Sequence, residues 1–399
     1  MTGAGGADTR RGATVRALVV WLLVGPALAA CAAGAPPADP SERPAGTSAA
    51  TPAAPEPDRT DDGAEEGGEE GAGRGRPAPV RIAVAGDIHF EGALAERLRR
   101  PADALAPAAR VLAEADVAIV NLETSVGDGG RPEPGKRFTF SAGPRALAAL
   151  GAAGIDVASM ANNHALDFGR DRLPSTLRAA RRAAAADPPL RVVGIGADAD
   201  EAHRAARTVV GGTVVATLAA SAADQDPTAD PTGHWAARPG RSGVADATDP
   251  RRLLREVRRA DSEADVVVAY LHWGVQGERC PSPDQRRLAR ALVAAGADVV
   301  VGSHAHEVQG DGRLGAGYVA YGLGNFAWYS PGPTGVLTLT VRPPRERTGR
   351  ARVTASRWWP ATIGPDGLAA ADAGPAAAAS HARRAALRSC AGLAPPRAR

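Results

Sequence analysis

The chain has 399 residues and a formal net charge of +3 at pH 7. That length allows two or three domains of about 150 residues, or one larger mixed α/β domain. A charge this small, with no dense Lys/Arg block interleaved with aromatics, excludes nucleic acid as the expected partner. Lys136 is the only lysine amid abundant Arg, Ala, Gly and Pro, a compositional bias from which no function is read.

At the N-terminus Arg10, Arg11 and Arg16 precede an apolar run, Ala17 to Ala30, that ends in small residues before Cys31. This is the layout of a signal peptide, and the run is shorter than the ~20 apolar residues of a permanent span. Leu28-Ala29-Ala30-Cys31 resembles the bacterial lipobox, so residues 1–31 are expected to be a signal peptide with Cys31 as the lipidated N-terminus of the mature protein. Two acyl chains suffice for stable anchoring, which places the protein outside the cytoplasm on the outer face of the cell membrane. An ordinary cleaved signal is the alternative. Residues 32–79 are Pro, Ala, Gly, Ser and Thr with an acidic cluster at Asp61, Asp62, Glu65, Glu66, Glu69 and Glu70. Such a segment cannot bury enough apolar surface to offset its ordering entropy, and it reads as a disordered tether.

From Val80, short Val/Ile/Ala runs alternate with longer Ala/Leu/Arg stretches, the pattern of an α/β fold. Strands are expected at Val80 to Gly86, Asp116 to Leu122, Asp156 to Met160, Arg191 to Ile195, Thr213 to Ala219, Asp265 to Leu271, Asp298 to Val301 and Tyr318 to Gly322. Most are continuous apolar runs, so both faces should be buried. Helices are expected near Pro101 to Ala115, Pro144 to Ala153, Arg172 to Ala186, Pro250 to Glu263 and Pro283 to Ala295, several opening with a proline suited to the first turn. Gly335 to Val341 and Arg352 to Thr362 read as antiparallel edge strands of a second sheet. The folded domain is thus expected over 80–363, followed by an Ala/Arg-rich tail, 364–399, with one helical stretch at Ala376 to Arg388. With Cys31 modified, Cys280 and Cys390 are the remaining thiols, and outside the cytoplasm they are expected to pair.

Five of the eight histidines, His89, His164, His272, His304 and His306, follow predicted strands, each beside Gly, Asp or Asn. In open α/β sheets ligands bind outside the carboxyl ends of the strands, so these positions should converge on one crevice. The first strand ends Gly86-Asp87-Ile88-His89, where alternate residues of an extended chain face one side and can ligate one ion together. The second ends Asn121-Leu122-Glu123, and the third leads into Ala161-Asn162-Asn163-His164 with Asp167 beyond. Leu271-His272-Trp273-Gly274 follows, then Gly302-Ser303-His304-Ala305-His306, whose spacing places two imidazoles on one side of an extended segment. Imidazole, carboxylate and amide oxygen together suit Mn, Fe or Zn, and the absence of thiolates argues against a structural zinc site. Within the long polar segment Ser221 to Asp249, His234, Trp235, Arg238 and Arg241 are candidate contacts for an anionic substrate, a merely solvated loop being the alternative. His203 and His381 are expected at the surface.

This ordered set resembles the calcineurin-like metallophosphoesterase pattern of D-x-H, an acid, N-H-x-x-D, H and G-H-x-H. The phrases N-L-E, N-N-H-A-L-D-F-G, H-W-G and Y-G-L-G-N-F narrow the resemblance to the CapA family of poly-γ-glutamate synthesis proteins, over roughly Val80 to Phe326. The resemblance implies a four-layer α/β/β/α sandwich holding two divalent metal ions. It puts Asp87, His89 and His306 on one ion and Asn163, His272 and His304 on the other, with Glu123 as the bridge. It makes His164 the general acid, with Asp167 orienting it, and Asn121 and Asn325 supporting or substrate-contacting residues. The phosphatases ordinarily bridge their metals with Asp, and Glu123 is one methylene longer. The activity implied is metal-assisted hydrolysis or phosphoryl chemistry, in a protein that makes, exports or anchors poly-γ-glutamate alongside polymer synthase subunits. The alternatives are a generic metal-dependent phosphoesterase, a non-catalytic membrane-tethered scaffold of a polymer synthase, and an amide hydrolase that trims the polymer.

Overall fold

Runs such as Val266-Val267-Val268-Ala269-Tyr270-Leu271 have no polar face, and a strand of this kind must be covered on both sides. The computed structural model describes residues 77–228, 234–346 and 349–395 and shows how that cover is provided. Residues 1–76, which include the expected signal peptide, Cys31 and most of the expected tether, lie outside the described residues.

In chain order the main strands are β1 (Val80–Ile88), β2 (Val117–Leu122), β3 (Val157–Ser159), β4 (Arg191–Val193), β5 (Ala206–Val210), β6 (Thr213–Ser221) and β7 (Val266–Trp273). They continue with β8 (Val299–His304), β9 (Asp311–Leu314), β10 (Gly317–Ala320), β11 (Asn325–Ala327), β12 (Gly332–Arg342), β13 (Arg352–Ile363) and β14 (Ala369–Ala371). One sheet runs β14-β13-β12-β1-β2-β3-β4, with β11 beside the end of β1, and the other runs β9-β10-β8-β7-β6-β5. The pairs β1–β2, β2–β3, β3–β4, β6–β7, β7–β8 and β8–β10 are parallel, so the carboxyl ends of these strands collect on one edge of each sheet.

Alternate residues of β7 show the layering. Val266, Val268 and Tyr270 pack into the core shared with β1 and β2, whereas Val267, Ala269 and Leu271 pack with Leu253, Val257, Leu288 and Leu292 of helices Arg251–Glu263 and Pro283–Ala295. Tyr270 spans the gap between the sheets and donates its hydroxyl to the Ala85 carbonyl at 2.9 Å. Helices Arg145–Ala152 and Leu173–Ala184 cover the other sheet through Leu147, Leu150 and Leu177. The result is the four-layer α/β/β/α sandwich.

Some expectations are corrected. Gly332–Arg342 and Arg352–Ile363 do not begin a second sheet; β12 pairs antiparallel with β1 itself and β13 with β12, extending the first sheet. The expected helix from Pro101 to Ala115 is interrupted, leaving a 3-10 turn at Pro101–Asp103 and a short helix at Arg110–Ala113, because Pro107 lacks the N–H that a continuing helix needs. His203 is buried, 2% exposed, with its ring nitrogens on the carbonyls of Ala199 and Asp246. His381 is exposed as expected.

Past Ile363 the chain adds β14 to β13 and then the helix Gly374–Ala391. Arg384 of that helix bonds the buried carboxylate of Asp311 at 2.5 Å, and a Cys280–Cys390 disulfide, with Cα atoms 5.8 Å apart, ties the helix to the loop after β7. The expected pairing of these two cysteines is thus present.

At the end of β1 the backbone of Leu323–Gly324 passes against Gly86, where a Cβ would lie 1.7 Å from the Gly324 carbonyl oxygen. Both partners are main chain, so no side chain can rotate away. Gly86→Ala is therefore expected to cost about 3 kcal/mol through overpacking, while Gly143→Ala, with open space around it, stays within about 0.5 kcal/mol. Denaturant unfolding of both variants checks the difference.

Candidate metal centre

The apolar runs of the strands stop abruptly in polar residues at the edge where their carboxyl ends meet, and there the side chains converge. Asp87 lies one residue before the end of β1, Asn121 and Glu123 flank the last residue of β2, Asn163 and His164 follow β3, His272 sits near the end of β7, and His304 closes β8. Asp87, Asn121, Glu123, His272 and His304 are fully buried. Polar groups this deep require partners, and most of these have them.

Asp87 is held by Asn121, whose Nδ2 donates to Oδ1 at 2.8 Å, and by the His304 backbone N–H on Oδ2 at 3.2 Å. His306 Nδ1 lies 3.6 Å from Asp87 Oδ2 and 2.7 Å from Asn325 Oδ1. His272 Nε2 faces Asn163 Oδ1 at 2.7 Å, His304 Nδ1 at 3.1 Å and Glu123 Oε1 at 3.5 Å. A neutral imidazole has one N–H, so it cannot satisfy all three acceptors at once.

Glu123 is the exception to satisfaction. Neither of its carboxylate oxygens has a hydrogen-bond partner among the described residues. Burial, then the neighbouring Asp87 charge, pushes its carboxyl well above the usual carboxylate range. Burial likewise pushes His272 down to about 3, with Asp87 opposing it, and holds His304 below its ordinary value, so both rings are neutral and keep a lone pair. Two groups of side chains can each hold a cation: Glu123 with His272 and His304, and Asp87 with Glu123 and His306, the ligand atoms of each group lying within 4.8 Å of one another. Glu123 belongs to both. A buried carboxylate without hydrogen-bond partners among the described residues, beside two neutral imidazoles whose ring nitrogens lie 3.1 Å apart, is what a divalent ion would resolve, so the donor set fits metal.

His164 stands beside this cluster. Its Nδ1 is 2.6 Å from Asp167 Oδ2, its Nε2 is 3.7 Å from Glu123 Oε1, and Phe140 stacks on the ring at 4.1 Å. Asp167 is fixed in turn by the Phe140 N–H and by Lys136, whose ammonium bonds both Asp167 and the Asn163 carbonyl. His89 stands outside both groups. β1 ends at Ile88, and the His89 ring turns among Phe140, Trp328 and Tyr329 with Nδ1 accepting the Glu91 N–H at 3.0 Å.

The Gly302-Ser303-His304-Ala305-His306 segment is also not extended, as its spacing had suggested. His304 has φ 95° and His306 φ 55°, left-handed conformations that cost about 1–3 kcal/mol each in a non-glycine residue. The turn they make, rather than strand alternation, points both rings at the cluster.

Two residues escape the sequence reading. Asp226, in the loop after β6, is buried, with Oδ2 3.1 Å from His304 Nε2; it leaves His304 Nδ1 facing the cluster as a carboxylate commonly does for a metal-facing histidine. Burial alone would raise the Asp226 carboxyl, but His304 and the N–H groups of Thr228 and Gln276 outweigh it and hold it below the usual range. Lys136 is the other, and its signal was its being the only lysine. Of the two arginines of the long loop, Arg241 lines a cavity beside Asn163 and Asp167, while Arg238 is exposed and meets Arg241 through backbone hydrogen bonds.

The family described as "Bacterial capsule synthesis protein PGA_cap" matches residues 81–330. A capsule biosynthesis protein CapA of Bacillus anthracis is 32% identical over 198 residues, covering 48% of this chain and 45% of that protein. A PGA biosynthesis protein CapA of Bacillus subtilis is 31% identical over 204 residues, 50% of each. The chain thus spans about half the length of these curated relatives. A solved structure of a novel phosphatase from Mycoplasma pneumoniae aligns over 71% of this chain and 94% of its own, with a TM-score of 0.44 and 11% identity.

Proposed function

The chain belongs to the bacterial capsule synthesis protein family PGA_cap, and from that premise we propose that it is a cell-envelope lipoprotein acting in poly-γ-glutamate synthesis or export through a dinuclear, phosphoesterase-type hydrolytic centre. The observation that carries the chemical part is Glu123, buried, with neither oxygen hydrogen-bonded among the described residues, and shared by two candidate ligand groups. Asp87, Glu123 and His306 would hold one ion; Glu123, His272, His304 and Asn163 would hold the other, with Mn, Fe or Zn the ions suited to these donors. His89 lies outside both groups, among Phe140, Trp328 and Tyr329, and Asn325 Oδ1 holds His306 Nδ1 at 2.7 Å. When bound, the ions supply Lewis acidity to the reacting bond.

The chain's own residues supply the rest. Asp226 fixes the tautomer of His304, and Asn121 holds Asp87. Asp167 accepts a hydrogen bond from His164 Nδ1–H, so that the protonated ring carries its second proton on Nε2, the atom facing the cluster, for delivery to a leaving group. Trp328 and Phe140 exclude water from one wall.

Assay of the purified chain on phosphoesters and on poly-γ-glutamate, with and without chelator, tests the reading. Chelator-sensitive phosphate release or polymer shortening is expected, and inertness towards both substrates with metal bound would remove the catalytic part. The membrane part has its own test. Cys31→Ser is expected to release the protein into the soluble fraction with its unfolding unchanged, since the expected tether carries no large apolar side chain to contribute to a core. A Ser variant that stays membrane-bound after signal cleavage contradicts the anchor.

A further inference from the structure

Beside the proposed centre lies a cavity of about 220 Å³, bounded by Asn163, Asp167, Lys136, Arg170, His234 and Arg241. Asn163 and Asp167 belong to the segment that also bears His164, so a molecule in this cavity touches the same turn that faces the reacting bond. The wall carries three cations, Lys136, Arg170 and Arg241, against two carboxylates, Asp167 and Glu133. One of those carboxylates is already used: Lys136 is 3% exposed and paired with Asp167.

Among the described residues neither arginine is paired with an acid. They come from separate segments, and both donate Nη2 to the same acceptor, the carbonyl of His234, Arg241 at 3.1 Å. Neither forms an ion pair among the described residues, and Arg170 Nη1 is buried with no hydrogen-bond partner. Like charges converging on one oxygen repel, and a buried guanidinium N–H without an acceptor keeps its full desolvation penalty. Burial, and then the Arg241 charge, holds the Arg170 guanidinium below its ordinary value, which is the same repulsion seen from another side. An oxyanion between the two forks would remove both penalties, since guanidinium binds carboxylate and phosphate bidentately.

We propose that Arg170 and Arg241 form a clamp for an oxyanion, carboxylate or phosphate, carried by the substrate next to the linkage presented to His164. The placement of that linkage rests on the centre proposed above; the clamp itself rests on the arginines. It makes this site selective for a polyanion, whose repeating charges let one anionic group seat in the cavity while the adjoining bond lies at the cluster.

The test is calorimetric titration of the full chain with γ-glutamyl-glutamate and, separately, with inorganic phosphate. It is run on wild type, Arg170→Gln and Arg241→Gln, each metal-loaded and again after chelation. The expected result is that one probe binds wild type and binds each variant at least tenfold more weakly, before and after chelation. The probe that shows this loss identifies the oxyanion. Arg241 is half-exposed, so its variant keeps the fold even if the Arg170 variant does not. Equal affinity in wild type and Arg241→Gln, or no binding of either probe to wild type, overturns the clamp. Failure of the metal centre reads out differently, as wild type without bound metal, and leaves the titration of the chelated chain to decide the clamp by itself.

Discussion

His304→Ala and His306→Ala are each expected to lose mainly one ion, and hydrolysis is expected to fall about a thousandfold or more in both. The reason is the sharing of Glu123. Removing His304 strips a ligand from the group with His272, while Asp87, Glu123 and His306 remain; removing His306 does the reverse. Two-metal chemistry needs both ions in place, and the Lewis acidity of the pair is worth several kcal/mol. Stability should fall far less. His304→Ala leaves Asp226 without its imidazole partner, a loss of about 1–3 kcal/mol, and His306 is already a quarter exposed at its side chain, 24%. Metal content by plasma emission beside thermal unfolding separates the two effects. Equal loss of both ions in both variants would mean a single shared ion.

His164→Ala is expected to behave in the complementary way, retaining both ions while hydrolysis falls by about 10²- to 10⁴-fold, the usual worth of a positioned general acid. His164 lies outside both ligand groups, with its Nε2 3.7 Å from Glu123 Oε1. Its loss frees Asp167, but Lys136 and the Phe140 N–H still hold that carboxylate, so the turn should stay in place. The loss should also shrink for substrates whose leaving group needs no proton, such as a nitrophenyl ester compared with an alkyl ester. A His164 variant that loses metal instead would make the residue a ligand.

The parts of this arrangement legible in the sequence share one physical signature. Asp87, Glu123, His272 and His304 each interrupt or end an apolar run that must be buried on both faces, and a polar residue there has to be accounted for. Burial on two faces also made the strands readable. What escaped had no such contrast. Asp226 lies in an aperiodic polar loop, where one more Asp is unremarked, although its loop leaves β6 at the same sheet edge as the rest of the cluster. His203 carried no signal of burial in its neighbours; one of its partners, the Ala199 carbonyl, is local, and the other, the Asp246 carbonyl, is brought near by the fold alone.

The backbone explains the remaining misreadings. The spacing of Asp87 and His89, and of His304 and His306, was read as strand alternation, but β1 and β8 end before each second residue. Positive φ at His304 and His306, not an extended chain, sets their direction. Pro107 ended a helix that composition alone favoured. Gly86, one of many glycines in the chain, is required by the passage of Gly324 across β1, a contact between segments far apart in sequence.

The claim on which the rest depends is that Glu123 bridges two ions, and counting metal in the purified wild-type chain tests it most directly. Plasma emission after exhaustive dialysis should find two equivalents of transition metal per chain, and Glu123→Ala should retain neither at stoichiometric level. One equivalent in the wild type, none at all, or two that survive in Glu123→Ala would contradict the account.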